Sequence, residues 1–82
     1  MKKSFNWHNP NKTTYIYCSD DDWDWDSDNE YSKYDWGNVI FDDDSNSWLS
    51  WWTSKNNFMV YSEGEYYTLE EAKQHIEETR EN

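Results

Sequence analysis

The chain has 82 residues, 21% of them aromatic and 30% charged, with a formal charge of −11. A chain of this length forms one domain with a modest core, residues 1–82 as a unit, which argues against a self-contained multistep enzyme. The charge disfavours contact with phosphate backbones or anionic membranes, and no run of roughly twenty apolar residues offers a membrane span.

Strong charge with few aliphatic residues ordinarily describes a disordered chain, but disordered acidic segments are poor in aromatics. The seven tryptophans, seven tyrosines and three phenylalanines therefore predict a folded domain with a core of rings.

The segment "SFNWHNPNKTTYIYC" predicts two short strands around a turn at Asn9, Pro10 and Asn11, with Tyr15 and Tyr17 on the face opposite Ile16 and Cys18. The single cysteine, Cys18, has no intrachain partner and reads as a small core residue. Lys2 and Lys3 are not followed by an apolar stretch of signal-peptide length, so the expected location is cytoplasmic.

Next, "NVIFDDDSNSWLSWW" predicts a hairpin turning through Asp42 to Asn46, and "NFMVYSEGEYY" a third hairpin with Glu63 and Gly64 at its turn. In "TLEEAKQHIEETRE", Thr68 followed three residues later by Glu71 is a capping-box pattern. Leu69, Ala72 and Ile76 then fall on one face of an amphipathic helix of about three turns. Strands over about residues 3–67 and a helix over about 69–80 define an α+β fold, an antiparallel meander of hairpins with one C-terminal helix on one face.

Charge is unevenly distributed. Residues 1–18 carry three lysines and no acid, whereas residues 19–47 carry eleven acids against Lys33. In "CSDDDWDWDSDNEY", Asp22, Asp24 and Asp26 alternate with Trp23 and Trp25, so an extended chain turns the indoles inward and the carboxylates outward. Neighbouring carboxylates on that face then lie about 6.6 Å apart, close to the roughly 6–7 Å between successive phosphates of one DNA strand. A duplex is denser in charge, so an imitation needs a second acidic row, for which Asp42, Asp43 and Asp44 with Glu30 and Asp35 are the candidates. The candidate partner-binding residues are thus Asp20, Asp21, Asp22, Asp24, Asp26, Asp28, Glu30, Asp35, Asp42, Asp43 and Asp44. Charge runs also serve as solvated faces that keep a protein soluble and block edge pairing of strands.

In the character of "SDDDWDWDSDNEY" and "FDDDSN", in length and in its acidic C-terminal helix, the chain resembles small phage-encoded inhibitors that mimic DNA. These are the anti-CRISPR proteins, anti-restriction proteins and inhibitors of uracil-DNA glycosylase. The resemblance implies a stoichiometric, non-enzymatic inhibitor of a bacterial nucleic-acid-binding protein, such as a CRISPR effector or another nuclease, acting in the host cytoplasm. Its partner would be a basic groove, with electrostatic attraction speeding encounter and aromatic anchors supplying affinity.

Two rival sites are legible. From Asp24, "DWDSDNEYSKYD" sets Asp24, Asp26, Asp28, Glu30, Ser32 and Asp35 at the ligand positions of a calcium loop, but Asn29 stands where such loops need Gly and the last ligand is a short Asp. Trp51, Trp52, Tyr66 and Tyr67 are candidates for a carbohydrate- or peptide-binding platform. Enzymatic and cofactor chemistry find less support. His8 and His75 are isolated and read as surface residues, no Gly-rich phosphate loop or zinc-type spacing occurs, and no cofactor is expected.

Overall fold

The computed structural model describes residues 5–19 and 34–81. They form a five-stranded antiparallel sheet in the order β1-β2-β3-β4-β5, followed by a helix packed against it. The strands are β1 (Phe5–Asn11), β2 (Thr14–Ser19), β3 (Trp36–Asp42), β4 (Ser47–Thr53) and β5 (Val60–Tyr66), and the helix is α1 (Leu69–Glu81). The expected α+β meander is the fold observed.

Two local details differ from the sequence pattern. Pro10 and Asn11 belong to β1, and the first turn falls at Lys12 and Thr13. An edge strand tolerates a proline because one row of its N–H groups has no ladder to join, and the register shifts between His8 and Asn11, around it. Glu63 and Gly64 do not form a turn. They lie inside β5, and the turn that precedes it falls at residues 55–57. The β4–β5 register slips between Ser50 and Trp52, opposite Ser62, whose φ of 57° is left-handed, so the glycine sits near a bulge rather than a hairpin tip.

Adjacent strands pair so that alternate residues share a face. Trp7, Tyr17, Gly37, Trp52 and Tyr61 form one cross-sheet row, and Tyr15, Val39, Ser50 and Gly64 form the next. The helix covers this face. Val39, Trp52, Ala72 and Ile76 form the buried core, with Phe5, Trp7, Tyr15, Tyr17, Trp48, Tyr66 and Leu69 packed around it. Gly37 allows the close approach: a Cβ there would lie 2.5 Å from Ile76 Cγ2. Ile16, Cys18 and Asn38 on the opposite face are also buried. The Asn38 amide donates to Thr53 Oγ1 at 3.0 Å, which satisfies a polar group inside the sheet.

The helix begins as its pattern predicts. The Glu71 N–H donates to Thr68 Oγ1 at 3.2 Å, and the Thr68 hydroxyl donates to Glu71 Oε1 at 3.2 Å. Ala72 and Ile76 are fully buried, while Lys73, Glu77 and Arg80 form a second, charged stripe over β1 and β2. Lys73 Nζ lies 5.0 Å from the Trp7 ring centroid and 5.2 Å from that of Tyr15, and the Arg80 guanidinium lies 4.0 Å from that of Phe5. His75, expected at the surface, is instead half-buried between α1 and β5. Its Nε2 is 2.8 Å from the Ser62 carbonyl oxygen and its Nδ1 is 3.0 Å from the Tyr66 hydroxyl. A carbonyl only accepts, so Nε2 carries the proton and Nδ1 accepts from Tyr66 in the neutral ring.

Candidate functional site

A meander with a helix at its end has two distinct ends. The β1–β2 turn, the β3–β4 turn and the passage from β5 into α1 lie together at one of them, as the hydrogen bond from the Phe41 N–H to the Thr13 carbonyl at 3.0 Å confirms for the two turns. Asp42, Asp43, Asp44, Glu65, Glu70 and Glu71 all fall at this end, and among the described residues Lys12 and Lys73, the latter over the Tyr15 ring, are the basic side chains there. The other end carries Asp35, Lys55, Glu78 and Arg80, with the β4–β5 turn and the last turn of α1. Among the described residues, acids outnumber bases more strongly at the first end than at the second.

The β3–β4 tip is built by its own side chains. Asp42 Oδ1 accepts from the Asp44 N–H at 3.2 Å, and Asp42 Oδ2 accepts from the Ser45 hydroxyl at 2.9 Å, the geometry of an aspartate closing a turn. Asn46 closes the loop in the left-handed region with φ 56°, a conformation Asn tolerates. Ser45 and Ser47 oxygens lie 2.6 Å apart, and the fully buried Ser47 hydroxyl reaches Glu65 Oε2 at 2.6 Å. This chain of oxygens brings Asp42 and Glu65, 23 residues apart in sequence, to the same tip, although its two hydroxyl protons supply only two of the three contacts. Asp43 and Asp44 are exposed beyond it.

Of the sequence-derived candidates, Asp20, Asp21, Asp22, Asp24, Asp26, Asp28 and Glu30 lie outside the described residues, as do Trp23 and Trp25. Asp42, Asp43 and Asp44 are brought together. Asp35 does not join them, because the seven residues of β3 at about 3.3 Å each separate it from Asp42 by roughly 23 Å. Its carboxylate has structural duties: Oδ1 accepts the Lys55 N–H at 3.0 Å and Oδ2 accepts the Tyr61 hydroxyl at 2.5 Å. Burial first, and then this carboxylate, push the Tyr61 hydroxyl well above the usual phenol range.

Glu65, Glu70 and Glu71 were not among the candidates. Reading a turn at Glu63 and Gly64 hid the strand that carries Glu65 to the tip. Glu71 reads only as the capping partner of Thr68, Glu70 lies beside it in the first turn, and only the meander shows which end of the sheet that terminus meets.

The calcium-like loop, Asp24, Asp26, Asp28, Asn29, Glu30 and Ser32, lies outside the described residues except for its last position. Asp35, the last position of the calcium-like loop, is followed by β3 where such a loop is followed by a helix. Among the described residues no group of three His, Cys, Asp or Glu side chains is placed to hold a metal ion. The proposed ring platform is divided: Trp52 is buried under the helix, Trp51 points to the other face, Tyr66 packs on the core and Tyr67 alone is 84% exposed. No helix among the described residues is long and apolar enough to cross a membrane. In comparisons with known proteins, no family model, no curated protein and no solved structure matches the chain.

Proposed function

We propose that the protein is a stoichiometric inhibitor that presents an acidic, DNA-like surface to the basic groove of a nucleic-acid-binding enzyme. The CRISPR effectors and other bacterial anti-phage nucleases are the target class, and the protein itself performs no chemistry. One observation carries this reading: among the described residues, six acids from three separate stretches of chain lie at one end of the sheet, with Lys12 and Lys73 the basic side chains there. At a Debye length of about 8 Å such neighbours still repel each other. An arrangement that costs stability in the free protein gains when a cationic groove neutralises it. Attraction of this kind accelerates encounter and is released by salt, as for DNA itself.

The test is a competition assay in which labelled duplex DNA is displaced from a panel of CRISPR effectors, restriction nucleases and uracil-DNA glycosylase. The parent chain should displace DNA from at least one of them, less effectively as salt rises. A variant with Asp43→Asn, Asp44→Asn, Glu65→Gln and Glu70→Gln, folded by circular dichroism, should displace it at least tenfold more weakly at low salt, about 1.4 kcal/mol or more. Failure to displace DNA from any enzyme of the panel, or equal potency of the neutralised variant across the salt series, would overturn the reading.

A further inference from the structure

The end of the sheet remote from the acidic tip holds a cleft of about 240 Å³, lined by Phe5, Tyr34, Asp35, Trp52, Tyr61, Thr79 and Arg80. This is below the roughly 300–1,000 Å³ of clefts that enclose drug-sized ligands and suits a single side chain. Four rings and one carboxylate are the chemistry that recognises organic cations, since ring faces attract positive charge and a carboxylate accepts its N–H groups.

Three features of the cleft favour this ligand class. Asp35 is held in place from behind, by the Lys55 N–H at 3.0 Å and the Tyr61 hydroxyl at 2.5 Å, and a carboxylate so held retains lone pairs for a further donor. A guanidinium already lies against the cleft wall, that of Arg80, 4.0 Å from the Phe5 ring centroid. Finally, Trp52, only 3% exposed, offers its ring to the cleft, a surface on which a guanidinium stacks. The charge of −11 adds a field that draws cations and repels carboxylates and phosphates.

We propose that this aromatic and carboxylate cleft binds an arginine side chain of a partner protein, with Arg80 as an internal stand-in that gives way to it. Guanidinium is favoured over ammonium because its plane stacks on rings while its edge meets a carboxylate in two parallel hydrogen bonds. The entering arginine meets Asp35 at its tip and ring faces along its stem, and Arg80 moves off Phe5 as it enters. The cleft and the acidic tip lie at opposite ends of the strands, so the two sites act on different parts of a partner.

The probe is Nα-acetyl-arginine amide, titrated into the isotope-labelled full chain, with the indole N–H resonance of Trp52 and the backbone resonances of Asp35 and Tyr61 followed by NMR. These resonances should shift saturably, while neutral Nα-acetyl-norleucine amide leaves them in place. Asp35→Asn should weaken the arginine probe about tenfold, and Arg80→Gln should tighten it several-fold by removing the internal competitor. Tyr61→Phe, which keeps the ring and frees the carboxylate oxygen, should retain binding and serves if Asp35→Asn unfolds. Equal shifts from the neutral probe, or probe affinity unchanged by both Asp35→Asn and Arg80→Gln, would overturn the proposal. No nuclease enters this titration, so its failure leaves the acidic-surface reading standing, and the reverse also holds.

Discussion

The indole N–H of Trp7 on β1 donates to Glu77 Oε2 of α1 at 2.7 Å, a bond between residues seventy apart in the chain. It joins the first described strand to the last element, and the Lys73 ammonium 5.0 Å over the same indole adds a second link. An acid off the apolar face of the helix thus holds an edge strand.

Replacing Trp7 by Phe keeps a ring beneath Lys73 but removes the donor. The expected loss is about 1 kcal/mol, or roughly 4–8 °C in melting temperature for a domain of this size. Glu77→Gln retains an acceptor oxygen and should cost less. Thermal melts of the two variants check this order.

Gly37 lies directly beneath Ile76. Glycine to alanine in a strand ordinarily stabilises slightly by restricting the unfolded chain, but here the new methyl would sit 2.5 Å from Ile76 Cγ2. Gly37→Ala should therefore destabilise by about 1–3 kcal/mol. Ile76→Ala alone opens a cavity and costs about 2–5 kcal/mol. Combined, the two should cost less than their sum, because the alanine methyl enters the space the isoleucine leaves. Urea denaturation of the four proteins in the cycle gives the coupling and its sign.

Ser47 is fully buried and connects Ser45 to Glu65. Ser47→Ala leaves Ser45 and Glu65 without that link and should cost about 1–2 kcal/mol. The β3–β4 tip should also loosen, seen as faster amide exchange at Asp44 and Ser45. Unchanged exchange would mean that the oxygen chain does not hold the tip.

Tyr61 should ionise above its ordinary range, because burial and then the adjacent Asp35 carboxylate both disfavour phenolate. The folded-state value lies above the unfolded value of about 10. Its contribution to stability is therefore complete below that pH and is lost as the pH climbs beyond it. Absorbance titration should show one late-ionising tyrosine that disappears in Tyr61→Phe. In Asp35→Asn the delay should shrink but persist, since burial, the larger cause, remains.

Much of this architecture follows from local pattern alone. Thr68 and Glu71 mark the helix start, Leu69, Ala72 and Ile76 its buried face, and Tyr15 and Tyr17 the alternation of β2, because capping and side-chain periodicity depend only on near neighbours in the chain. The turn at Lys12 and Thr13 and the continuous β5 escaped that reading, since an edge strand accepts Pro10 and a bulge accepts Gly64, residues that usually break strands. Tertiary structure alone decided which carboxylates meet. It carried Glu65 to the Asp42–Asp44 tip, put Glu70 and Glu71 at the same end of the sheet, and left Asp35 a strand's length away. Strand order and direction set distances between charges, and neither is encoded in the spacing of acids along the sequence.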